Sequence, residues 1–474
     1  MVKDLVPCVH FYDQDFVDMY DRTWVWIEES WKAEAKEGPL ATGYLAEGEG
    51  KVISLFDSCL SSLFLAYGNQ NFDACSQIDF FYSCQGEDGR ISSVYEIDTK
   101  QPIVNARNPL GLAPPLLSYV EFCFYHKIGN KKRLKEVVTY LEKYYSWLSH
   151  NFQKPNGLYK VPYEACALGN VPREGAVYTV EFNSMMAIFA LYMSNIGDIL
   201  NDKELSFRYK RIYFSLKTRI NSMMWDPDEH FYFDIDESEN RIHNRHIGCY
   251  WTLLAEIPND EYADFLIQNL KDPEEFGTDN PFPCVPVSSK YFSLNGEGYR
   301  GGVVPFYNYV VVKGLIKYNS FVFARECAIR HMYFILDTLH PDGETIGDVW
   351  EAYKPQKEGP SISSDDIFKN RKRYLPMLGL VTITMMIENI IGLDVSLPRK
   401  TVDWIMPSLE AMGIEKLSLK RNDITILSNK NLRGWEIRLE SEKLYYFTIE
   451  ILDENKKKTL PIPSGKCSML IDKL

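Results

Sequence analysis

Paired segments with helical periodicity run along most of the 474-residue sequence, and they limit the fold more than any other feature. In 131–151, apolar residues recur at spacings of three and four, while lysines and glutamates occupy the other side. This pattern predicts an amphipathic helix with one buried stripe. Helices are predicted in the same way at 13–34, 54–67, 70–83, 109–127, 131–151, 179–197, 202–224, 246–255, 259–270, 302–318, 320–338 and 374–391. The chain is therefore predicted to be built mainly from about six helical hairpins.

The sequence changes character near residue 400. Runs typical of β-strands occur at 416–420, 424–427, 435–439 and 444–451, with turn residues between them. We therefore predict an all-α domain over 1–400 and a small antiparallel β-domain over 401–474. The lysine run at 456–458 is predicted to lie in a solvated turn. The β-domain would serve as a lid or as a dimer contact. A homo-oligomer is therefore one possible state of the protein.

Composition and charge exclude several classes of partner. The net charge of -13 repels phosphate backbones and anionic lipids, so neither nucleic acid nor a membrane is expected as a partner. The 10 cysteines show no short repeated spacing and are not read as a disulfide framework. Since no signal peptide and no apolar run of membrane-spanning length is visible, we predict a cytoplasmic location.

Motifs for cofactor, metal or nucleophilic chemistry are missing from the sequence. It contains neither a glycine-rich phosphate loop nor a Gly-x-Ser-x-Gly elbow. His243 and His246, with Cys249 nearby, lack the second ligand pair of a typical metal site. No cofactor and no metal are therefore predicted.

Four long segments between helices, 84–108, 152–178, 271–301 and 339–373, hold most of the Gly, Pro and Asp residues. In and beside them, carboxylates, amides and arginines alternate with aromatic residues, as in Phe56-Asp57-Ser58, 85–91, 299–302 and 350–353. Polar groups of this kind bind neighbouring sugar hydroxyls, and rings pack on sugar faces. Simpler structural explanations are also open, because Asp57 could cap a helix and 87–89 could form an ordinary turn.

Taken in order, these clusters resemble motifs of the trehalase-like clan of inverting glycoside hydrolases, families 37 and 63, which includes mannosylglycerate and glucosylglycerate hydrolases. The matching stretches are Phe56-Asp57-Ser58, 85–91, Pro114-Pro115, Asn156-Gly157-Leu158, 180–184, Phe276-Gly277-Thr278, 298–305 and 350–355. The resemblance covers about residues 50 to 390. It implies an (α/α)6 barrel, a small carbohydrate as substrate, and hydrolysis with inversion, with Glu351 as the general base.

The general acid of these families is an Asp in a Gly-x-Asp-Asn-Ser-Pro-Arg motif. The corresponding stretch here is 167–173, in which Pro172 and Arg173 match but the acid position is Gly169. Glu164 and Glu174 flank this stretch, and Glu164 is predicted to act as the acid instead. A substrate whose leaving group needs no acid is an alternative explanation. The residues expected to hold the sugar are Phe56, Asp57, Gln85, Asn170, Arg173, Tyr299, Arg300, Trp350 and Tyr353.

The predicted function is hydrolysis of a small glucoside- or mannoside-type substrate. Gly169 keeps an alternative open, a non-catalytic carbohydrate-binding protein on the same scaffold. Loss of the acid would remove the rate enhancement of about a hundred- to ten-thousand-fold that general acid catalysis contributes. A third hypothesis is different carbohydrate chemistry in the same kind of barrel, such as phosphorolysis, lyase action or epimerisation.

Overall fold

The computed structural model describes residues 6–33, 37–166, 171–340, 347–363, 368–418, 422–453, 456–462 and 465–470. Its helices are α1 (Gln14–Ser30), α2 (Leu55–Leu65), α3 (Ser76–Ser83), α4 (Leu117–Ile128), α5 (Lys131–Phe152), α6 (Val180–Leu200), α7 (Lys203–Met223), α8 (Trp251–Leu254), α9 (Asp260–Lys271), α10 (Pro305–Lys317), α11 (Phe321–Leu339) and α12 (Leu375–Gly379). Wider π-type turns extend α12 over Leu380–Ile391.

The strands are short in the first half of the chain and longer after the last helix. They are β1 (Cys8–His10), β2 (Trp31–Lys32), β3 (Tyr44–Leu45), β4 (Val52–Ser54), β5 (Val94–Glu96), β6 (Trp225–Asp226), β7 (Phe231–Tyr232), β8 (Leu393–Ser396), β9 (Thr401–Met406), β10 (Met412–Ser418), β11 (Asp423–Asn431), β12 (Gly434–Ser441), β13 (Tyr445–Ile451), β14 (Lys456–Ile462) and β15 (Gly465–Leu470).

Each predicted helical segment contains an observed helix, and the differences at the ends have local causes. The segment predicted at 109–127 becomes helical only at Leu117, because Pro114 and Pro115 keep the preceding chain extended. The segment at 246–255 holds a turn of 3-10 helix, Ile247–Tyr250, before the four-residue α8. Helix α5 begins where predicted, since the Asn130 side chain accepts a hydrogen bond from the Arg133 amide.

Among the described elements, α2, α4, α6, α8, α10 and extended α12 contact one another in that order, and extended α12 contacts α2 again. The remaining helices pack outside this ring. The inner and outer helices differ in how much of their surface is buried. In the inner helix α6, 16 of the 21 residues are buried, whereas the outer helix α5 buries a single stripe. An inner helix needs apolar residues on nearly every side.

The connections differ between the two ends of the ring. Short turns follow the inner helices α4, α6 and α10, as at the left-handed Gly129 and Asn201. The long segments precede α4, α6, α10 and α12, and therefore meet at the N-terminal ends of the inner helices. This end collects most of the residues predicted to form the site.

The strands after the last helix form two sheets, of orders β1-β10-β11-β12-β15 and β14-β13-β9-β8. The first sheet also takes in β1, from before the first helix, which pairs with β10. The pairs are antiparallel except for β9 with β13, which is parallel. The predicted boundary at residue 400 falls between the paired strands β8 and β9, and the division into domains stays a prediction. The turn predicted at 456–458 is wrong, since these residues begin β14, an edge strand on which charged side chains tolerate solvent.

No helix within the described ranges is both long and apolar enough to cross a membrane.

Candidate active site

Glu351 lies at the N-terminal end of the ring, on a ribbon of irregular strand segments. Val303 and Tyr353 exchange backbone hydrogen bonds of 2.8 and 2.9 Å, and the Glu351 amide donates to the Arg371 carbonyl at 2.9 Å. The Arg371 guanidinium donates two hydrogen bonds to the Glu351 carboxylate, with Nε 2.6 Å from Oε2 and Nη2 2.9 Å from Oε1. Glu351 is only 3% exposed, so this bidentate contact fixes its orientation.

Asp57 joins the same cluster from the first turn of α2. The cap of that helix is Ser54, whose hydroxyl accepts a hydrogen bond from the Asp57 amide, so the capping explanation for Asp57 is wrong. The Asp57 side chain instead accepts a hydrogen bond from the Tyr374 hydroxyl. The Tyr374 ring in turn lies 3.4 Å below the Arg371 guanidinium. Asp57 and Glu351 are thereby joined through Tyr374 and Arg371.

Glu47 is a third carboxyl in this cluster, and the sequence-based prediction missed it. Its Oε2 lies 3.8 Å from Arg371 Nη1, and its Oε1 is buried with no hydrogen-bond partner among the described residues. Burial, followed by the charge of Asp57, raises the pKa of Glu47 to about 8, although Arg371 opposes the shift. The cluster therefore retains a proton at neutral pH. In the sequence, Glu47 lies between Gly43 and Gly50, a segment for which we predicted no role.

Several aromatic side chains lie beside the carboxyl cluster or next to its residues in sequence. Tyr299 is buried, and its pKa is raised by burial and then by nearby charges that include both Glu351 and Glu181. The Phe56 ring packs edge-on against Phe306, with centroids 4.9 Å apart. Trp350 is half-buried beside Lys372, whose Nζ is 4.9 Å from its ring. Tyr299 and Tyr374 are thus placed beside the carboxylates, and rings next to carboxylates match the chemistry expected of a sugar site.

Arg173 occupies a separate, fully buried ion network rather than an open surface. Its Nε lies 3.2 Å from Asp234 Oδ2 and its Nη1 3.4 Å from Glu181 Oε2. Its Nη2 lies 3.0 Å from His246 Nε2, and Tyr307 donates to the other oxygen of Glu181. The predicted direct contact of Arg173 with sugar is corrected, because its donors face protein groups.

The charges in this network lower the pKa of the Asp234 carboxyl. Burial alone would raise the pKa of this carboxyl, but the charges of Arg173 and His246 hold it below its usual range. His246 therefore belongs to the network, and His243 bonds Glu229 at the surface. No group of three or more His, Cys, Asp or Glu side chains within the described residues is placed to hold a metal ion.

Gln85 was predicted to bind substrate, but its side chain instead links the turn at 85–89 to the outer helix α5 by hydrogen bonds. Its amide donates to the carbonyls of Tyr140 at 2.9 Å and Gly89 at 3.1 Å. Gly89 has a φ of +96°, and a Cβ there would lie 2.4 Å from the Lys143 carbonyl oxygen. The 85–91 motif thus has a structural explanation, because only glycine permits this approach to α5.

Two further residues predicted to hold sugar have other contacts in the structure. Tyr353 is fully buried, and its hydroxyl accepts a hydrogen bond from the Trp350 amide. Arg300 is exposed, with its guanidinium 5.9 Å from the Tyr291 ring. Tyr353 therefore shapes the loop of Glu351, and no described contact joins Arg300 to the carboxyl cluster.

The predicted acid and its surroundings lie mostly outside the described residues. Glu164 belongs to the turn Tyr163–Ala165, but its side chain is not described. Gly169 and Asn170 lie wholly outside. The roles predicted for Glu164 and Asn170 stay predictions.

Comparisons with known proteins show what this chain is similar to. The family described as mannosylglycerate hydrolase MGH1-like glycoside hydrolase domain matches residues 166–365. The family described as trehalase, C-terminal domain, matches residues 392–474. Over these two ranges the chain is similar to trehalase-like and mannosylglycerate-hydrolase-like glycoside hydrolases.

Two relatives are similar to this chain in sequence. An uncharacterized protein of Borreliella burgdorferi is 45% identical over 478 residues, covering 100% of both chains. A cytosolic neutral trehalase of Kluyveromyces lactis is 24% identical over 177 residues, which are 36% of this chain and 23% of that protein.

Solved structures share the fold at low identity. The family 63 mannosylglycerate hydrolase from Thermus thermophilus, in complex with glucose, aligns with a TM-score of 0.60 and 17% identity. That alignment covers 77% of this chain and 100% of the other. The neutral trehalase of Saccharomyces cerevisiae aligns with a TM-score of 0.57 and 15% identity, over 73% of this chain and 74% of the other.

Proposed function

We propose that the protein hydrolyses a small glucoside- or mannoside-type substrate with inversion, using Glu351 as the general base. The observation that carries this proposal is the buried Glu351 carboxylate, held by Arg371 beside Asp57 at the N-terminal end of the ring. The closed order of inner helices supports the further proposal that the helical core is the predicted (α/α)6 barrel.

In an inverting reaction the base takes a proton from water while the water oxygen attacks the anomeric carbon, and the leaving oxygen receives a proton from an acid. Arg371 uses one direction on each Glu351 oxygen, and a carboxylate oxygen has a second one left for water. Asp57 and Tyr299 would bind hydroxyls of the sugar next to this water. Phe56 and Trp350 would offer their ring faces to the sugar.

The proton donor needs a position across the sugar from the base. Glu47 contacts the guanidinium that also holds Glu351, so it lies beside the base, and we assign it to setting the charge around the base. Glu164 remains the proposed acid. It follows α5 and precedes the chain that carries Pro172 and Arg173, the matched end of the family's acid motif.

A proton NMR time course tests the proposal with α- and β-linked disaccharides, glycosylglycerates and glycosyl fluorides. The wild-type protein should release sugar of inverted configuration, and Glu351→Gln should lower kcat about a hundred- to ten-thousand-fold. Glu358→Gln, an exposed carboxyl in the same loop, is the matched control and should keep full activity. Undiminished turnover by Glu351→Gln would remove it as the base.

The acid is tested separately with activated substrates. Fluoride leaves without a proton, so Glu164→Gln should hydrolyse glycosyl fluorides at near wild-type rates while losing activity on disaccharides. Equal losses on both substrates would argue against a role as proton donor.

A non-catalytic carbohydrate-binding protein is the second candidate function. The observation that favours it is Gly169 at the position where the related families carry their acid. It predicts sugar binding without turnover of any glycoside, fluorides included. Such a result would replace the hydrolase proposal.

We also propose a cytoplasmic location, which the free thiols of the 9 described cysteines support.

A further inference from the structure

A cavity lies at the other end of the helical ring from the carboxyl cluster, where the ring meets the sheet β14-β13-β9-β8. Its volume is about 570 Å³, which falls within the range of small-molecule sites. A smaller cavity of about 210 Å³ adjoins it and shares Tyr119, Phe122, Asp394 and Asp403 in its lining. Nothing in the proposed hydrolytic mechanism uses this space.

The inner helices separate this cavity from the carboxyl cluster. Helix α10 begins two residues after Val303, which bonds the Glu351 loop, and Lys313 near its other end lines the cavity. Helix α2 carries Asp57 in its first turn, and Tyr67 follows its C-terminal end. At 1.5 Å per residue, these helices place the two regions roughly 15 Å apart.

One wall of the cavity is the polar face of the sheet. Asp394 lies opposite Asp403, and Ser396 opposite Thr401, in the β8–β9 pair. On the parallel strand β13, Thr448 is the neighbour of Asp403. The other face of β9 is apolar and buried. The sheet thus directs these hydroxyls and carboxylates toward the helices, together with the apolar side chain of Ile405.

The helical wall supplies aromatic rings. Tyr192 lies 5.1 Å from Tyr119 and 4.8 Å from Phe122 between ring centroids. The Tyr119 hydroxyl is 2.7 Å from that of Tyr309, which keeps the ring cluster fixed. Rings on one wall and hydroxyls and carboxylates on the other are the two elements that recognise a sugar ring.

Two polar groups lining these cavities are buried without a partner. Asn389 is 7% exposed and Thr384 is 2% exposed, and neither Asn389 Oδ1 nor Thr384 Oγ1 has a hydrogen-bond partner among the described residues. An unsatisfied buried polar atom costs about 1–3 kcal/mol. A bound hydroxyl group could donate a hydrogen bond to each of them.

The charges of the larger cavity disfavour an anionic occupant. Lys313 pairs with Glu388, Arg325 with Glu410, and Lys457 with Glu450. Each described cation of the larger lining therefore has a carboxylate partner, which leaves no strong site for an anion. Burial by itself would lower the pKa of Lys127. The negative charges of Glu388 and Asp394 have the larger effect, and the pKa of Lys127 is raised.

We propose that this cavity is a second, non-catalytic site for a neutral sugar, a hexose or a disaccharide. The sugar would lie between the rings of Tyr119, Phe122 and Tyr192 and the polar sheet face. Asp394 and Asp403 would each accept hydrogen bonds from neighbouring hydroxyls. The proposal is independent of whether Glu351 performs hydrolysis.

Isothermal titration calorimetry of the full chain tests the proposal, with glucose, mannose and trehalose as probes. Glu351→Gln prevents turnover and should retain the second site. In that background, the double variant Asp394→Ala/Asp403→Ala should bind sugar at this site at least tenfold more weakly. Asp423→Ala, an exposed aspartate in the other sheet, is the matched control and should change nothing.

The double variant should fold normally. It removes two like charges that face each other across strands, which offsets the lost attraction between Asp394 and Lys127, so its Tm should change little. As a second measurement on the unmodified protein, bound sugar should slow amide hydrogen exchange in β8 and β9. A stoichiometry of one for every sugar, with no protection of these strands, would overturn the proposal. So would binding of spermidine or inorganic phosphate at this site in place of sugar.

Discussion

Replacing Arg173 with methionine should destabilise the protein far more than it alters substrate affinity. The guanidinium neutralises Asp234 and Glu181, which are 2% and 0% exposed. Without it, one of these carboxyls stays charged in the interior or takes up a proton. Protonating a carboxyl of ordinary pKa at pH 7 costs about 4 kcal/mol, which limits the loss of unfolding free energy to about that value.

The pH dependence of this loss gives the prediction its sharpest form. In the variant, the folded state binds a proton that the unfolded state at pH 7 does not, so its unfolding free energy rises as the pH falls. In the wild-type protein, the lowered pKa of Asp234 leaves its contribution intact until the pH falls below the ordinary range of an aspartate. The difference between the two should therefore shrink by about 1.4 kcal/mol per pH unit between pH 7 and pH 5.

Urea denaturation followed by circular dichroism at pH 5, 6 and 7 measures this difference. Arg208→Met is the control, since Arg208 pairs with Glu142 at the surface and is 51% exposed. That change should cost less than about 1 kcal/mol. A loss below about 1 kcal/mol in the Arg173 variant, or one independent of pH and accompanied by a higher KM, would refute the network argument and restore Arg173 as a sugar ligand.

Three further changes test other parts of the site. Glu47→Gln should remove a fall in kcat/KM near pH 8, because in the wild-type protein loss of the Glu47 proton adds a charge beside Asp57; an unchanged alkaline limb would contradict this. Tyr374→Phe should lower kcat about tenfold with less than about 1.5 kcal/mol of destabilisation, since it removes only the hydrogen bond to Asp57; full activity would mean that this bond is not needed. Gly89→Ala should lower the unfolding free energy by about 1–3 kcal/mol through its contact with Lys143, while kcat/KM stays constant; a selective loss of activity would return the 85–91 motif to the site.

The helices were predictable because their signal is local. In α5, the buried stripe and the Asn130 cap both lie within the segment, so neighbouring residues carry the information. The edge strand β14 was missed for the opposite reason. Its lysines resemble a turn until pairing with β13 places Lys457 beside Glu450.

Individual site residues were predictable only where a sequence motif names a residue type with one chemical role, such as a carboxylate. Asp57 and Glu351 were named from motifs, and the structure links them through Tyr374 and Arg371. Nothing in the sequence indicates that Arg371, rather than Arg300, contacts the base. That choice depends on how segments far apart in sequence meet once the ring has closed.

The sequence by itself therefore determined the helical hairpins, the strand-rich tail and the family motifs, because periodicity and motif order are written in consecutive residues. Tertiary structure alone decided that Arg173 is buried among acids, that Glu47 joins Asp57 and Glu351, and that a polar sheet face borders a second cavity. Charge pairing, desolvation and cavity shape arise between segments far apart in the chain. They appear only when folding brings those segments into contact.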